Sequence, residues 1–305
     1  MGGNRPIAFY VTSAGNTIRG LSITGWRTAI FIDGGAASGN RVLGNWLGFD
    51  RLGTPVSGTN FQLVLNNGAH DNIIGTPNLA DRNVSGQAVH AIENYGPGVD
   101  RNIIQDNLLC MRPNGTQTAS CSTGIDHNFG PKASLIGGTG PNERNIIGAT
   151  GLQGIEFSHG WNPSLSSATG GTLEYQINDH RVIGNWVGFP GSGHYNVNFI
   201  SGQGNPNGSD NGQAINVYDG SNNNLVEGNY IASRFDGIQF MSANASGNIA
   251  RGNFIGISPF GEAAPMAWWG YHSRLGAHDE VVEGLRAAAR RQRRRAERHQ
   301  VGEAA

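Results

Sequence analysis

A short pattern of polar, apolar and turn residues recurs along nearly the whole chain. It reads Asn-x-(Ile/Val)-x-Gly-Asn, and its apolar third position follows a polar first position by two residues, the period of a β-strand with one buried face. Because the closest copies start 24 residues apart, as Asn16 and Asn40 do, one unit has room for three short strands and three turns. The nine copies start at Asn16, Asn40, Asn72, Asn102, Ser134, His180, Asn224, Asn248 and Glu280.

Two further apolar positions follow most copies of the pattern. One lies in a second strand after the Gly-Asn turn, at Ile23, Leu47, Leu109, Val187, Ile231 and Ile255. The other lies in a third strand, at Ile30, Ile92, Ile125, Ile155, Ile215 and Ile238. Three inward columns predict an all-β fold, a parallel β-helix solenoid in which each coil packs only on its neighbours, with loop insertions where the copies lie further apart.

Composition agrees with a chain of frequent turns. Glycine accounts for 48 of 305 residues and charged residues for only 14%, and glycine disfavours helix interiors. We expect residues 1–284 to form the β-helix, lacking an N-terminal cap because the chain opens directly in a repeat. Residues 285–305 are predicted to be a basic Arg/Ala-rich tail, helical, disordered or out of frame. A basic helix could bind nucleic acid, but the abrupt change favours an untethered tail, so we do not infer nucleic-acid binding.

The sequence says little about the cellular compartment. No apolar run approaches the ~20 residues of a membrane span, so no membrane partner is expected, and Met1–Pro6 lacks the features of a signal peptide. Cys110 and Cys121 flank the turn-rich segment Met111–Ser120. Either a disulfide that clamps this loop or two free thiols would fit the pattern.

Several segments carry a resemblance to a known superfamily. GNRVLGN, GNWVGF, VEGNYI and RGNFIG resemble the repeats of the pectate-lyase-like right-handed parallel β-helix superfamily, over about residues 10–284, and the loops at 74–86 and 136–148 resemble those of bacterial secreted members. The resemblance implies a right-handed β-helix, an extracellular or cell-surface location and buried asparagine ladders. The asparagines expected to stack are Asn45, Asn107, Asn185, Asn229 and Asn253.

Three acidic residues occupy outward positions of the predicted third strand. If Glu93, Asp126 and Glu156 lie on adjacent coils, their backbones are ~4.8 Å apart. Repulsion among them then favours a bound Ca²⁺, with the three as ligands, or a raised pKa in one of them. Their spacing suits a glycosidase pair, and His127 and His159 follow them closely as candidate catalytic residues. The alternative is an ordinary polar surface, since outward strand positions are commonly polar.

Aromatic residues form a second outward column. Trp186, Tyr230 and Phe254 each precede an inward position of the second strand, so they would stack on sugar rings or be covered by the loop insertions that follow them. Tyr218 and Arg274, which lie two residues beyond the acidic column, complete the predicted substrate-binding set, and Arg274 is a further candidate base in a lyase.

The predicted function is binding and cleavage of a polysaccharide, by a lyase or a glycoside hydrolase. The alternative is a non-catalytic structural or adhesive solenoid, because the superfamily fold hosts lyases, hydrolases, epimerases and adhesins alike. No HExxH or CxxC motif is present, which disfavours a zinc enzyme. The motifs of polygalacturonases and alginate epimerases are also missing, so no catalytic set can be transferred.

Overall fold

Three parallel sheets run the length of the molecule. The computed structural model describes residues 7–57, 60–158, 175–203, 212–218, 220–242, 245–264, 266 and 268–287. The strands visit the three sheets in turn, and each sheet holds nine parallel strands. This topology confirms the predicted parallel β-helix, with one coil for each copy of the repeat.

Sheet A is formed by the third strand of each unit. Its strands are β1 (Ile7–Val11), β4 (Thr28–Asp33), β7 (Phe61–Asn66), β10 (Ala88–Tyr95), β13 (Cys121–Asn128), β16 (Ile155–Ser158), β20 (Ile215–Tyr218), β24 (Ile238–Met241) and β27 (Tyr271–Arg274).

Sheet B is formed by the strand that begins each repeat pattern. Its strands are β2 (Thr17–Arg19), β5 (Arg41–Leu43), β8 (Ile73–Ile74), β11 (Ile103–Ile104), β14 (Leu135–Gly137), β18 (Arg181–Ile183), β22 (Leu225–Glu227), β25 (Ile249–Arg251) and β28 (Val281–Glu283).

Sheet C is formed by the strand after the Gly-Asn turn. Its strands are β3 (Ser22–Ile23), β6 (Trp46–Leu47), β9 (Val84–Ser85), β12 (Leu108–Leu109), β15 (Ile146–Ile147), β19 (Trp186–Val187), β23 (Tyr230–Ile231), β26 (Phe254–Ile255) and β29 (Arg286–Ala287). A two-stranded sheet of β17 (Ile177–Asn178) and β21 (Ser221–Asn222) and two 3-10 turns, Leu79–Asp81 and Val197–Phe199, lie outside the three sheets.

The core consists of the predicted apolar columns. Ile92 on sheet A pairs in register with Ile125, and Val187 on sheet C pairs with Ile231. All four belong to one continuous cluster of buried side chains that runs through the coils. Each coil therefore buries its apolar face only by stacking on its neighbours, as a solenoid must.

An asparagine ladder runs through seven coils at the turn between sheets B and C. Asn145, for example, donates from Nδ2 to Oδ1 of Asn185 at 3.0 Å and to the carbonyl of Ile104 at 2.8 Å. The predicted asparagines are all present, and Asn83 and Asn145 close the gaps between them. Both were missed because they lie after loop insertions, which hide their place in the repeat. The ladder comprises Asn45, Asn83, Asn107, Asn145, Asn185, Asn229 and Asn253.

The first position of the repeat forms a second buried column, and a histidine replaces asparagine within it. His180 accepts from the backbone N–H of Ser134 through Nδ1 at 3.1 Å, and its Nε2 lies 2.9 Å from the carbonyl of Pro131. The backbone N–H of His180 donates in turn to Oδ1 of Asn224. The imidazole thus makes hydrogen bonds like those of the amide it replaces.

The solenoid continues slightly beyond its predicted end. β29 pairs with β26, with Arg286 opposite Phe254, so the last coil includes residues that the sequence placed in the basic tail. The remainder of that tail lies outside the described residues. Within the described residues no helix is long and apolar enough to cross a membrane.

Cys110 and Cys121 form a disulfide. The sequence left open whether these thiols pair, and the structure shows that they close the loop of Met111–Ser120. Both cysteines are buried, and the hydrogen bond from the backbone N–H of Ala119 to the carbonyl of Cys110 supports the same closure. The loop is therefore held at its base by a covalent and a hydrogen-bonded link.

Candidate functional site

The three predicted acids lie side by side on the outer face of sheet A. Glu93 on β10 pairs in register with Asp126 on β13, and Asp126 pairs with Glu156 on β16. Glu93 and Asp126 are only 5% and 3% exposed, while Glu156 is partly exposed. We call Glu93, Asp126 and Glu156 the carboxylate column. It is a cluster of like charges withdrawn from water, which ordinary surface residues are not.

His90 joins two members of the carboxylate column. Its Nδ1 contacts Oε2 of Glu93 and lies 3.1 Å from Oδ2 of Asp126. Sequence reasoning missed His90 because strict alternation places it on a different face from Glu93, three residues away. The alternation is broken because Ala91 and Ile92 are both buried in the core.

The next strand shows the same break in alternation. At the position of Ala91, β13 has Gly124, where an added Cβ would lie 2.5 Å from Cγ2 of Ile147 in the core. The following residue, Ile125, also faces the core. Two consecutive inward positions therefore bring the residue before them, His90 on β10, back to the outer face.

Asn128 and Ser158 position the same carboxylates from the other side. The Asn128 amide donates from Nδ2 to Asp126 Oδ2 at 2.7 Å and to Glu93 Oε1 at 3.2 Å. Ser158 Oγ donates to Asn128 Oδ1 at 2.7 Å, which fixes the orientation of the amide. Glu93 and Asp126 are thus held by a common histidine and a common amide.

Burial dominates the electrostatics of the carboxylate column. The pKa of Asp126 is raised well above its usual value, first by desolvation and then by the charges of Glu156 and Glu93. The pKa of Glu156 is raised to about 7, again first by desolvation, against the opposing effect of His90 and of a hydrogen bond from Asn216. Within the part of the chain that the structure describes, Oδ1 of Asp126 has no hydrogen-bond partner. Near neutral pH the column therefore retains protons that exposed carboxyl groups would have lost.

Three of these residues could hold a cation. The ligand atoms of His90, Glu93 and Asp126 lie within 4.8 Å of one another. The calcium site expected from the sequence had Glu156 in place of His90. An imidazole with two carboxylates suits Mn²⁺ or Zn²⁺ better than Ca²⁺, which prefers oxygen ligands.

His127, predicted from the sequence as a candidate catalytic residue, lies inside the β-helix and does not reach the outer face of sheet A. It is fully buried, and its ring lies 5.0 Å from that of Phe157 and 4.6 Å from that of His180. Along β13 it immediately follows the outward Asp126, and the pleat turns it inward. Desolvation holds the pKa of His127 well below its usual value. His159, the other candidate histidine, lies outside the described residues.

The predicted aromatic residues lie on a different face from the carboxylate column. Trp186, Tyr230 and Phe254 are on sheet C, where they are partly buried. Tyr230 and Phe254 stack with ring centroids 4.4 Å apart, and the guanidinium of Arg144 lies 4.5 Å from the centre of the Trp186 ring. Trp186 also packs against a buried apolar cluster that includes Ile146 and Phe199. The structure therefore does not bring these rings together with the acids.

Tyr218 and Arg274 lie on sheet A, in the column two residues beyond the carboxylates. Tyr218 pairs in register with Met241, which pairs with Arg274. They are two and four strands along the sheet from Asp126. Both lie on the same outer face of sheet A as the carboxylate column.

Amide and histidine side chains extend the polar surface along sheet A. Asn216, Gln239 and His272 continue the register of Glu156 on the next three strands. Asp236 accepts from Nε2 of Gln239 at 3.0 Å and lies 3.0 Å from Nδ1 of His272. A continuous row of planar polar groups thus runs along sheet A from Glu93 to His272, in which the amides of Asn216 and Gln239 are buried.

Compared with protein-family models, curated proteins and solved structures, the chain has no match. The class of protein is therefore defined by the fold and the site alone. It is an all-parallel β-helix that carries a buried carboxylate column on one face.

Proposed function

We propose that the chain binds a polysaccharide along the outer face of sheet A and cleaves it by acid–base chemistry at the carboxylate column. The observation that carries this proposal is the register of Glu93, Asp126 and Glu156 on three adjacent strands. Neighbouring strands lie ~4.8 Å apart, close to the ~5 Å between the two carboxyl groups of retaining glycosidases. Carboxyl groups withdrawn from water at such spacing are characteristic of glycoside hydrolysis.

Each residue of the site has a role in this scheme. Glu156, the most exposed of the three acids, donates a proton to the leaving sugar oxygen, and its raised pKa of about 7 supports this role. Asp126 or Glu93 acts in its ionised form on the opposite side of the bond, as nucleophile or base, and His90, whose Nδ1 lies beside both carboxylates, takes up the proton that Asp126 must lose. His90 and Asn128 are positioning residues, because they hold Glu93 and Asp126 in one geometry.

The row of planar polar groups supports a long, hydroxyl-rich ligand. His272 offers a partly exposed imidazole on this face, and the buried amides of Asn216 and Gln239 continue the row between it and the carboxylate column at intervals of one strand. Membership in the pectate-lyase-like superfamily, and with it a bacterial, secreted protein, is part of the proposal. It rests on the repeat segments and on the parallel β-helix. The non-catalytic adhesive solenoid is the alternative, which the same experiment would reveal.

The test is a screen of neutral and uronate-containing polysaccharides with the wild type, Glu156→Gln and Glu283→Gln. Glu283 is an exposed glutamate on sheet B and serves as the matched control. We expect new reducing ends with the wild type and the control, and a rate at least about 100-fold lower with Glu156→Gln. Unsaturated products, detected by ultraviolet absorbance, would show that the chain cleaves as a lyase and not as a hydrolase. No cleavage of any substrate by folded protein would overturn the catalytic proposal in favour of adhesion.

A further inference from the structure

The two most buried acids of the carboxylate column share one basic partner. Glu93 and Asp126 are 5% and 3% exposed, and Nδ1 of His90 faces both carboxylates. The buried Asp106, by contrast, pairs with an arginine, Arg82. A neutral imidazole leaves both carboxylate charges uncompensated and an imidazolium compensates only one, which is unfavourable away from water. A divalent cation would balance both charges.

The three side chains offer ligand atoms at a spacing that suits one ion. The ligand atoms of His90, Glu93 and Asp126 all lie within 4.8 Å of one another, and Nδ1 of His90 is 3.1 Å from Oδ2 of Asp126. Two neighbouring ligands of an ion with bonds of about 2.0–2.2 Å are separated by about this distance. The second oxygen of Asp126, Oδ1, is buried and has no hydrogen-bond partner among the described residues. A cation would supply the partner that this oxygen lacks.

Neighbouring side chains hold the three ligands in place. β10 and β13, which carry them, are adjacent strands in the middle of sheet A. The Asn128 amide donates to both carboxylates, and the ring of Phe61 meets that of His90 at 82° with centroids 5.3 Å apart. Contacts of this kind orient metal ligands and raise affinity. The site therefore needs little rearrangement to receive an ion.

The donor set favours a transition metal over calcium. Ca²⁺ takes about 6–8 oxygen ligands, whereas this set contains an imidazole nitrogen and two carboxylates and does not include Glu156. Zn²⁺ is bound by histidine nitrogen and carboxylate oxygen alike, and a site with three protein ligands leaves a coordination position open. The calcium site expected from the sequence thus does not fit the residues that the structure brings together.

We propose that a divalent transition-metal ion of the Zn²⁺ or Mn²⁺ type binds to His90, Glu93 and Asp126 and inhibits cleavage at the carboxylate column. The inhibitory part rests on the proposed function. Glu93 and Asp126 are the candidates for nucleophile or base, and an ion bound to their oxygens occupies the lone pairs that both roles require. His90 as a ligand can no longer take up a proton. Glu156 then has no partner on the opposite side of the bond.

Binding is tested without substrate, by titrating the full chain with Co²⁺ and following its visible absorption bands. We expect bands that Zn²⁺ abolishes and that an excess of Ca²⁺ leaves in place. His90→Gln and Asp126→Asn should each weaken Co²⁺ binding roughly tenfold or more, since even the outer contacts of metal ligands contribute ~10–100-fold. His194→Gln, in an exposed pair with Glu262, should bind as the wild type does.

Three results would overturn the metal site. They are the absence of Co²⁺ bands in the wild type, displacement of Co²⁺ by Ca²⁺, and unchanged affinity in a folded His90 or Asp126 variant. If His90→Gln is unfolded by circular dichroism, Asp126→Asn carries the test. Glu156→Gln should keep the Co²⁺ bands, because Glu156 is outside the ligand set.

Inhibition is measured separately, on a polysaccharide that the metal-free wild type cleaves. We expect saturating Zn²⁺ to lower the rate about tenfold or more and a chelator to restore it. An unchanged or higher rate in protein saturated with Zn²⁺ would overturn the inhibitory part. Co²⁺ binding by a chain that cleaves no substrate would support the metal site and overturn the proposed function alone.

Discussion

Two stacks of buried polar side chains run along this β-helix, and they differ in whether their members can satisfy one another. In the asparagine ladder each amide both donates and accepts, so Asn145 donates to Asn185 and Asn185 to Asn229. In the carboxylate column ionised neighbours only accept, and Oδ1 of Asp126 has no donor among the described residues. The difference teaches that stacking in register stabilises amides and destabilises acids. The ladder is thus explained by stability, whereas the column calls for a functional explanation.

Replacing an asparagine in the middle of the ladder should cause the largest loss of stability. Asn185→Leu removes the acceptor for two donors of Asn145 and the donor to Ile136 and Asn229. We expect the free energy of unfolding to fall by about 3–5 kcal/mol, because several buried groups lose their partners. Urea denaturation followed by circular dichroism measures this loss. Asn60→Leu, at an exposed asparagine, is the control, and a loss below about 1 kcal/mol in Asn185→Leu would contradict the role of the ladder.

Replacing Glu156 should show how the carboxylate column differs from the asparagine ladder in its effect on stability. The pKa of Glu156 is about 7 in the folded chain against an ordinary 4.5, so the folded state binds more protons between these values. Stability from this group is therefore present at low pH and lost as the pH rises from about 4.5 to 7. Glu156→Gln should remove about 1–3 kcal/mol of that decline, a figure reduced for partial exposure.

Denaturation of wild type and Glu156→Gln from pH 4 to pH 8 in the presence of a chelator tests this prediction. Glu283→Gln, at an exposed position, should follow the wild-type curve. Parallel curves for wild type and Glu156→Gln would mean that Glu156 titrates as an ordinary carboxyl group.

The sequence specified the fold well and the site only in part. Inward columns such as Ile92 and Ile125 follow from strand alternation, which is a local property, and the outward acids follow from the same rule. His90 could not be found this way, because the double inward step at Ala91 and Ile92 depends on packing against sheet C. His127 was chosen as a candidate because it follows Asp126 closely, whereas the alternation along β13 turns it into the core.

The buried histidines His127 and His180 should make stability depend on pH in the opposite direction to Glu156, and by a smaller amount. Burial lowers the pKa of His180 to about 4 and that of His127 below its usual 6.5. The unfolded state binds their protons first, so stability is lost as the pH falls from about 6.5 towards 4. His127→Leu should reduce the stability lost on acidification by about 1–2 kcal/mol, since neither ring nitrogen of His127 has a hydrogen-bond partner among the residues that the structure describes.

The histidine prediction is checked by denaturation at pH 7 and pH 5. The exposed His278 provides the matched variant, His278→Leu, which should lose as much stability between pH 7 and pH 5 as the wild type does. An unchanged difference between the two pH values in His127→Leu would contradict the burial argument.

A bound cation should reduce the electrostatic repulsion within the carboxylate column and should not affect the asparagine ladder. We expect Mn²⁺ to raise the thermal midpoint of the wild type by a few degrees, about 1 kcal/mol, by binding among His90, Glu93 and Asp126. His90→Gln should lose this shift, whereas His194→Gln, in an exposed pair with Glu262, should keep it. A shift of equal size in all three proteins would indicate binding elsewhere.

The most direct test of the account is the rate of polysaccharide cleavage per folded molecule in Glu156→Gln and in Asn185→Leu. Folded protein is quantified by circular dichroism at a temperature where both variants retain structure. The account predicts that Glu156→Gln folds stably and loses at least about 100-fold in rate, whereas Asn185→Leu is less stable and retains the wild-type rate per folded molecule. Full activity in folded Glu156→Gln would contradict the assignment of catalysis to the carboxylate column.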